Sequence, residues 1–92
     1  MQKSLPDRPR ARADLTFRPV GSEFALYDRA GRAAQTLNLT AALVWTYCDG
    51  RHDAEAIAAA VARDLPDAGG LDAMEHRVTL LLAQFAARGM LA

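Results

Sequence analysis

In this 92-residue chain, the side chains best suited to act as a nucleophile, a general acid or base, or a metal ligand are those of one cysteine and two histidines. A single cysteine excludes an internal disulfide and provides no spacing for a structural zinc site. Cys48 falls at the end of a predicted helix, so we interpret it as a small apolar core residue. His52 lies in the exposed loop beyond that helix and is interpreted as a solvated side chain. His76 lies near the start of another helix, and neither histidine is followed by a second histidine or a cysteine as a metal-type partner at i+3 or i+4.

Other catalytic signatures are also missing from the sequence. The serines, Ser4 and Ser22, fall in the N-terminal tail and in a turn. No paired carboxylates lie at an apolar site, and no glycine-rich loop leads from a strand into a helix. We therefore predict a protein that is not an enzyme and needs no cofactor and no metal.

The charge pattern argues against a nucleic-acid partner and against a membrane partner. The net charge is zero, with eleven basic and eleven acidic residues. In the predicted second helix Arg63 stands alone among acidic residues, whereas phosphate contacts need several basic side chains. No stretch approaches the roughly 20 apolar residues that span a bilayer. These features predict a cytoplasmic protein, with a winged-helix DNA-binding regulator kept as an alternative.

The elements that must position any site are three strands followed by three helices. Turn residues and alternation predict strands at Thr16–Val20, Glu23–Tyr27 and from Arg32 or Ala33 to Leu37. Helical spacing and caps predict a helix from Leu39 to Cys48 capped by Asn38, a second capped by Asp53, and a third opened by the capping-box pair Asp72 and Glu75. The fold class is therefore α+β, an antiparallel three-stranded sheet with three helices, similar to a winged helix-turn-helix domain. Residues 1–14 are predicted to be a flexible basic tail and residues 15–92 a single domain.

The third strand is the feature of this fold that suggests binding. In a meander its outer edge is unpaired, and Ala33, Ala34, Gln35 and Thr36 bring neither proline nor charge to that edge. An open edge of this kind accepts an extended peptide as an additional strand. Proline at Gln35 would block such pairing, provided that the Gln35 amide points outward. A second copy of the chain could instead cover the edge, so a homodimer and a structural self-association module stay open.

The order and spacing of several short segments resemble the PqqD family, which is named for pyrroloquinoline quinone (PQQ) biosynthesis. The resembling segments span about residues 15–92 and are Leu37-Asn38, Thr40-Ala41-Ala42, Val44-Trp45, Cys48-Asp49-Gly50, Ile57, Val78, Leu82, Phe85 and Gly89-Met90-Leu91. The chain departs from the namesake proteins after Leu26-Tyr27, where Asp28-Arg29-Ala30-Gly31 replaces a proline-containing turn.

The resemblance implies a function that composition alone does not give. Proteins of this family resemble peptide chaperones: they bind the leader of a ribosomal precursor peptide and present it to a modifying enzyme, in the namesake pathway a radical S-adenosylmethionine (SAM) enzyme. It further implies that the leader pairs antiparallel with the third strand and lies in the cleft beside the third helix. The expected peptide-binding residues are Ala33, Ala34, Gln35, Thr36 and Leu37 of the strand and Arg77, Val78, Leu81, Gln84 and Phe85 of the helix.

Overall fold

The computed structural model describes residues 7–92, without the side chains of Ala33 and Ala34. Three strands are followed by three helices: β1 Thr16–Val20, β2 Glu23–Tyr27, β3 Ala33–Leu37, α1 Leu39–Thr46, α2 Ala54–Asp64 and α3 Gly70–Ala87. This architecture confirms the predicted α+β fold of a small antiparallel sheet with a helical layer.

The sheet is a meander in the order β1-β2-β3, with both pairs antiparallel. Gly21 and Ser22 form the two-residue turn between β1 and β2, and Gly21 takes a φ of 62°, which glycine adopts without a steric penalty. Asp28 organises the second connection, because its side chain accepts hydrogen bonds from the backbone of Ala30 at 3.0 Å and of Arg32 at 2.9 Å. The register between β2 and β3 shifts between Leu26 and Tyr27.

The caps of α1 and α2 are formed by the predicted residues. The Asn38 side chain accepts from the backbone N–H of Ala41 at 2.9 Å, and Asp53 accepts from Ala56 at 2.8 Å. Each side chain thereby satisfies a helical N–H group that has no partner inside its helix. The predicted end of α1 at Cys48 is too late by two residues, because the Cys48 amide turns back to the Trp45 carbonyl at 3.1 Å in a tighter turn.

The predicted start of α3 is wrong. The helix begins at Gly70, and its N-cap is Gly69 with a φ of 98° and no side-chain cap. Two successive glycines with positive φ let the chain enter the helix two residues before Asp72, which therefore lies inside the first turn. A carboxylate there is favoured by the helix dipole, even though it does not form the capping box.

One core joins the inner face of the sheet to all three helices. The largest fully buried side chains are Leu26, Ile57, Met74, Leu82, Val44, Val61, Val78 and Pro9. The Trp45 and Phe85 rings meet edge to face with centroids 5.5 Å apart, which joins α1 to α3. Phe17 of β1 stacks on Phe24 of β2 at the rim of the same face.

The described part of the N-terminal tail contacts the domain. The Ala11 amide donates to the Cys48 carbonyl at 2.7 Å, and the Arg12 amide donates to the Met90 carbonyl at 3.1 Å. Pro9 is buried. Of the predicted flexible segment 1–14, the first six residues lie outside the described residues, and Pro9 to Arg12 bridge the ends of α1 and α3.

Candidate functional site

The outer edge of β3 is unpaired among the described residues. The hairpin turn determines which of its backbone groups face outward. Val20 and Glu23 flank a two-residue turn, so they form a hydrogen-bonded pair, and such pairs alternate along antiparallel strands. The amides of Phe24 and Leu26 therefore point toward β3, where their partners are Leu37 and Gln35.

The register does not meet the condition on which the proline test at Gln35 depends. The backbone N–H of Gln35 points toward β2, because this residue is paired with Leu26. The neighbouring Thr36 therefore presents its N–H and C=O to the open side of the sheet. The proline test of strand addition belongs at Thr36, and proline at Gln35 would remove a bond of the sheet itself.

A cleft runs between β3 and α3 and continues past the start of α1. Its first part is a cavity of about 160 Å³, lined by Gln35, Thr36, Leu37, Asn38, Ala41, Leu81, Gln84, Phe85 and Arg88. Its second part has about 260 Å³ and is lined by Asn38, Thr40, Arg77, Leu80, Leu81 and Gln84. Asn38, Leu81 and Gln84 belong to both parts, so the two cavities form one groove.

Most of the predicted site residues lie together on this groove. Gln35, Thr36, Leu37, Leu81, Gln84 and Phe85 line its first part and Arg77 its second. Val78 is fully buried and lines neither cavity. It directly follows Arg77 on α3, and its side chain faces the core instead of the groove. The side chains of Ala33 and Ala34 lie outside the described residues. That these residues bind a peptide stays a prediction.

Several lining residues were missed by the sequence reasoning. Asn38, Thr40 and Ala41 lie at the start of α1, Leu80 lies on α3, and Arg88 is the C-cap residue of α3. Arg88 could have been found, since it continues the helical stripe of Arg77, Leu81 and Gln84 by one turn. Leu80 is 52% exposed, a large value for a leucine.

Two hydrogen bonds link Arg88, Gln35 and Thr36 across the opening of the groove. The Arg88 guanidinium donates a hydrogen bond to the side-chain oxygen of Gln35. The Gln35 side-chain amide in turn donates to the Thr36 carbonyl at 3.2 Å. The outward carbonyl of the edge strand is thus covered by a neighbouring side chain, which protects the edge in the free protein.

The helical half of the molecule is strongly polarised. Residues 49–75 hold seven acidic and two basic residues, a net charge of −5, whereas residues 76–92 hold only Arg77 and Arg88, a net charge of +2. On the acidic side the Tyr47 hydroxyl donates to Asp64 at 2.7 Å, and this bond raises the Tyr47 pKa. His52 contacts the Asp49 carboxylate at 2.9 Å, which lowers the Asp49 pKa. This acidic surface is unfavourable for phosphate contacts.

Cys48 is 3% exposed and donates to the Val44 carbonyl at 3.3 Å. Burial raises its pKa to about 12. Among the described residues, no three histidine, cysteine or acidic side chains come together as metal ligands. None of the helices in the described range is long and apolar enough to cross a bilayer.

The Cys48 thiol is expected to resist alkylation in the folded protein. At pH 8 its thiolate fraction should be about 1000-fold lower than that of a free thiol with a pKa near 9. Because the folded state holds the proton more tightly, the free energy of unfolding should fall as the pH rises above about 9. Iodoacetamide labelling followed by mass spectrometry checks the reactivity. The buried position would be contradicted if Cys48 were labelled at the rate of a small-molecule thiol in protein that urea denaturation shows to be folded.

Comparison with known proteins identifies the family. The family model PqqD, described as coenzyme PQQ synthesis protein D, matches residues 23–91. The match begins at β2 and ends after α3, so it includes β3 and the whole groove. No curated protein and no solved structure matches the chain. The chain belongs to the PqqD family, a family of accessory, non-catalytic proteins of PQQ biosynthesis.

Proposed function

We propose that this protein is a peptide chaperone that binds the leader of a ribosomal precursor peptide and presents it to a modifying enzyme of the radical SAM class. The leader adds to β3 as a fourth, antiparallel strand and places apolar side chains in the groove beside α3. The observation that carries the proposal is the continuous groove between an unpaired strand edge and α3.

The groove offers the two kinds of contact that strand addition needs. Thr36 supplies outward backbone groups, which give affinity without regard to sequence. Leu81, which is partly buried, and Phe85 supply an apolar floor that gives specificity. Antiparallel addition continues the pairing of the existing sheet and is slightly more stable per residue than parallel pairing.

The expected affinity is moderate. Strand hydrogen bonds and a small apolar contact favour binding, while the ordering of a flexible peptide opposes it. We expect a Kd between micromolar and nanomolar, or about −8 to −12 kcal/mol. An affinity in this range allows a leader to be held and later released to an enzyme.

The experiment that tests this function starts from a displayed library of random 14-residue peptides. The library is selected on the purified, full-length protein, and the most enriched sequence is synthesised with a fluorescent label as the reference peptide. Binding is measured by fluorescence anisotropy. A library that yields no binder, or a reference peptide that binds away from β3, would contradict the proposal.

Leu81→Asp is expected to weaken binding of the reference peptide about 30- to 100-fold. The change removes the leucine contact and places a strongly hydrated carboxylate in the apolar floor of the groove, one helical turn from Arg77, a cost of about 2 to 3 kcal/mol. Because Leu81 is only partly buried, the fold should survive, which thermal melting by circular dichroism checks.

Arg63→Asp is the matched control for this variant. It introduces the same side chain on the exposed surface of α2, away from the groove. It should change the affinity less than about twofold. Equal losses for both variants would place the peptide elsewhere on the molecule.

A further inference from the structure

We propose that the groove selects a peptide with two acidic residues on one face of its strand, at positions i and i+4, and an apolar residue between them at i+2. This inference rests on the proposed function and specifies the chemistry of its ligand. It comes from the two arginines that stand at the ends of the groove, Arg77 and Arg88.

These two arginines are the charged residues that line the groove in the described part of the chain, and both are exposed. Among the residues that the structure describes, no carboxylate lines the groove to neutralise them. The acidic residues of the helical half lie over residues 49–75, with a net charge of −5. An acidic peptide is therefore attracted to the groove and repelled from the surface around α2.

Arg77 on α3 and Arg88, the C-cap residue of the same helix, lie on the same side of α3. They are eleven residues apart, so their directions around the helix axis differ by only about 20° after three turns. Along the axis they are separated by a rise of about 16 Å. Leu81 and Gln84 lie between them on the same stripe. Arg77, Leu81 and Arg88 thus offer a positive, an apolar and a positive contact in that order.

The relative direction of β3 and α3, which form the two sides of the groove, determines how an extended peptide can contact these three residues in order. Arg88 lies opposite Gln35, while Arg77 lies with Asn38 and Thr40, so α3 runs antiparallel to β3 along the groove. An extended peptide advances about 3.4 Å per residue, and alternate side chains face α3. Positions i and i+4 of the peptide are therefore about 14 Å apart. The two arginines are separated by a rise of about 16 Å, and their long, flexible side chains can span the difference between these two distances.

Arg88 adds a second effect, because it is already bonded to Gln35. A carboxylate is a stronger partner for a guanidinium than a neutral amide oxygen. An acidic residue at the Arg88 end therefore draws the guanidinium away from Gln35. The Gln35 side chain is then free to leave the Thr36 carbonyl, which it covers in the free protein. The acidic residue nearer the C-terminus of the antiparallel peptide would thus open the edge that the peptide backbone uses.

The test compares library selections on three proteins. The random 14-residue library is selected on the wild-type protein, on Arg77→Glu with Arg88→Glu, and on the control Arg51→Glu with Arg63→Glu. The control has the same change of four charge units, and both of its positions are exposed and lie outside the groove. Circular dichroism verifies that all three proteins are folded.

On the wild-type protein, aspartate and glutamate should be enriched at least about threefold on either side of an apolar position. The groove variant should replace this preference with lysine and arginine, and the control should keep the wild-type preference. Raising the salt concentration from 0.05 to 0.5 M should weaken wild-type binding, because exposed ion pairs are screened.

The outcomes separate this inference from the function on which it rests. Binders that are lost in Thr36→Pro but show no acidic preference overturn the inference and leave strand addition intact. An acidic preference that persists in the groove variant also overturns it. Absence of any binder, or binders that Thr36→Pro does not affect, overturns the proposed function.

Discussion

Thr36→Pro is expected to weaken binding of the reference peptide about 100-fold or more, with little change in the circular dichroism spectrum. The variant removes an outward N–H from the open edge, and its ring occupies the place of the incoming strand. The loss of strand hydrogen bonds and the steric clash together cost about 3 kcal/mol. The amide that is lost does not belong to the sheet, so the fold tolerates proline at this edge position. Anisotropy titrations measure the effect.

Two further variants show whether the backbone is responsible. Thr36→Ala keeps the amide and removes only the side chain, so it should bind within about threefold of the wild-type protein. Gln35→Pro removes an amide that points to β2 and should instead lower the melting temperature. Thr36→Pro with unchanged affinity would show that the peptide does not pair with this edge.

Trp45→Ala is expected to have the largest effect on stability. Trp45 is 7% exposed and packs edge to face on Phe85, at a centroid distance of 5.5 Å. Truncation of a buried aromatic ring of this size costs about 3 to 5 kcal/mol. A 92-residue domain has a total stability of about 5 to 14 kcal/mol, so much of it would be lost. Urea denaturation followed by circular dichroism measures this change.

The same variant should also weaken the peptide site, because Phe85 forms part of the groove floor. Trp45→Phe is the matched control, since it retains an aromatic ring and should cost about 1 to 2 kcal/mol. If Trp45→Ala cost less than about 1 kcal/mol, the contact between Trp45 and Phe85 would not join α1 to α3 as described.

Local signals in the sequence predicted the helix caps and the strands well. Asn38 and Asp53 cap their helices as predicted, because a side-chain oxygen just before an apolar helix commonly accepts a hydrogen bond from a backbone N–H of the first turn. The start of α3 was not predictable in this way. Asp72 and Glu75 have the spacing of a capping box, but the preceding pair of glycines allows the helix to start earlier.

The site was predictable at the level of elements and less so at the level of atoms. That β3 would have an open edge follows from the meander order. Which amides point outward depends on the turn geometry at Gly21 and Ser22, and that alternation turns the Gln35 amide toward β2. Val78 and Leu81 are both apolar residues at helical spacing, and only the packing of α3 in the folded protein shows that Val78 is buried while Leu81 lines the groove.

Amide hydrogen exchange at Thr36, followed by NMR with and without the reference peptide, tests strand addition most directly. In the free protein the Gln35 and Leu37 amides should exchange slowly, since they point to β2, and the Thr36 amide should exchange fast. A saturating amount of peptide should slow exchange at Thr36 at least about tenfold. Fast exchange at Thr36 in the saturated complex would contradict the addition of the peptide as a fourth strand.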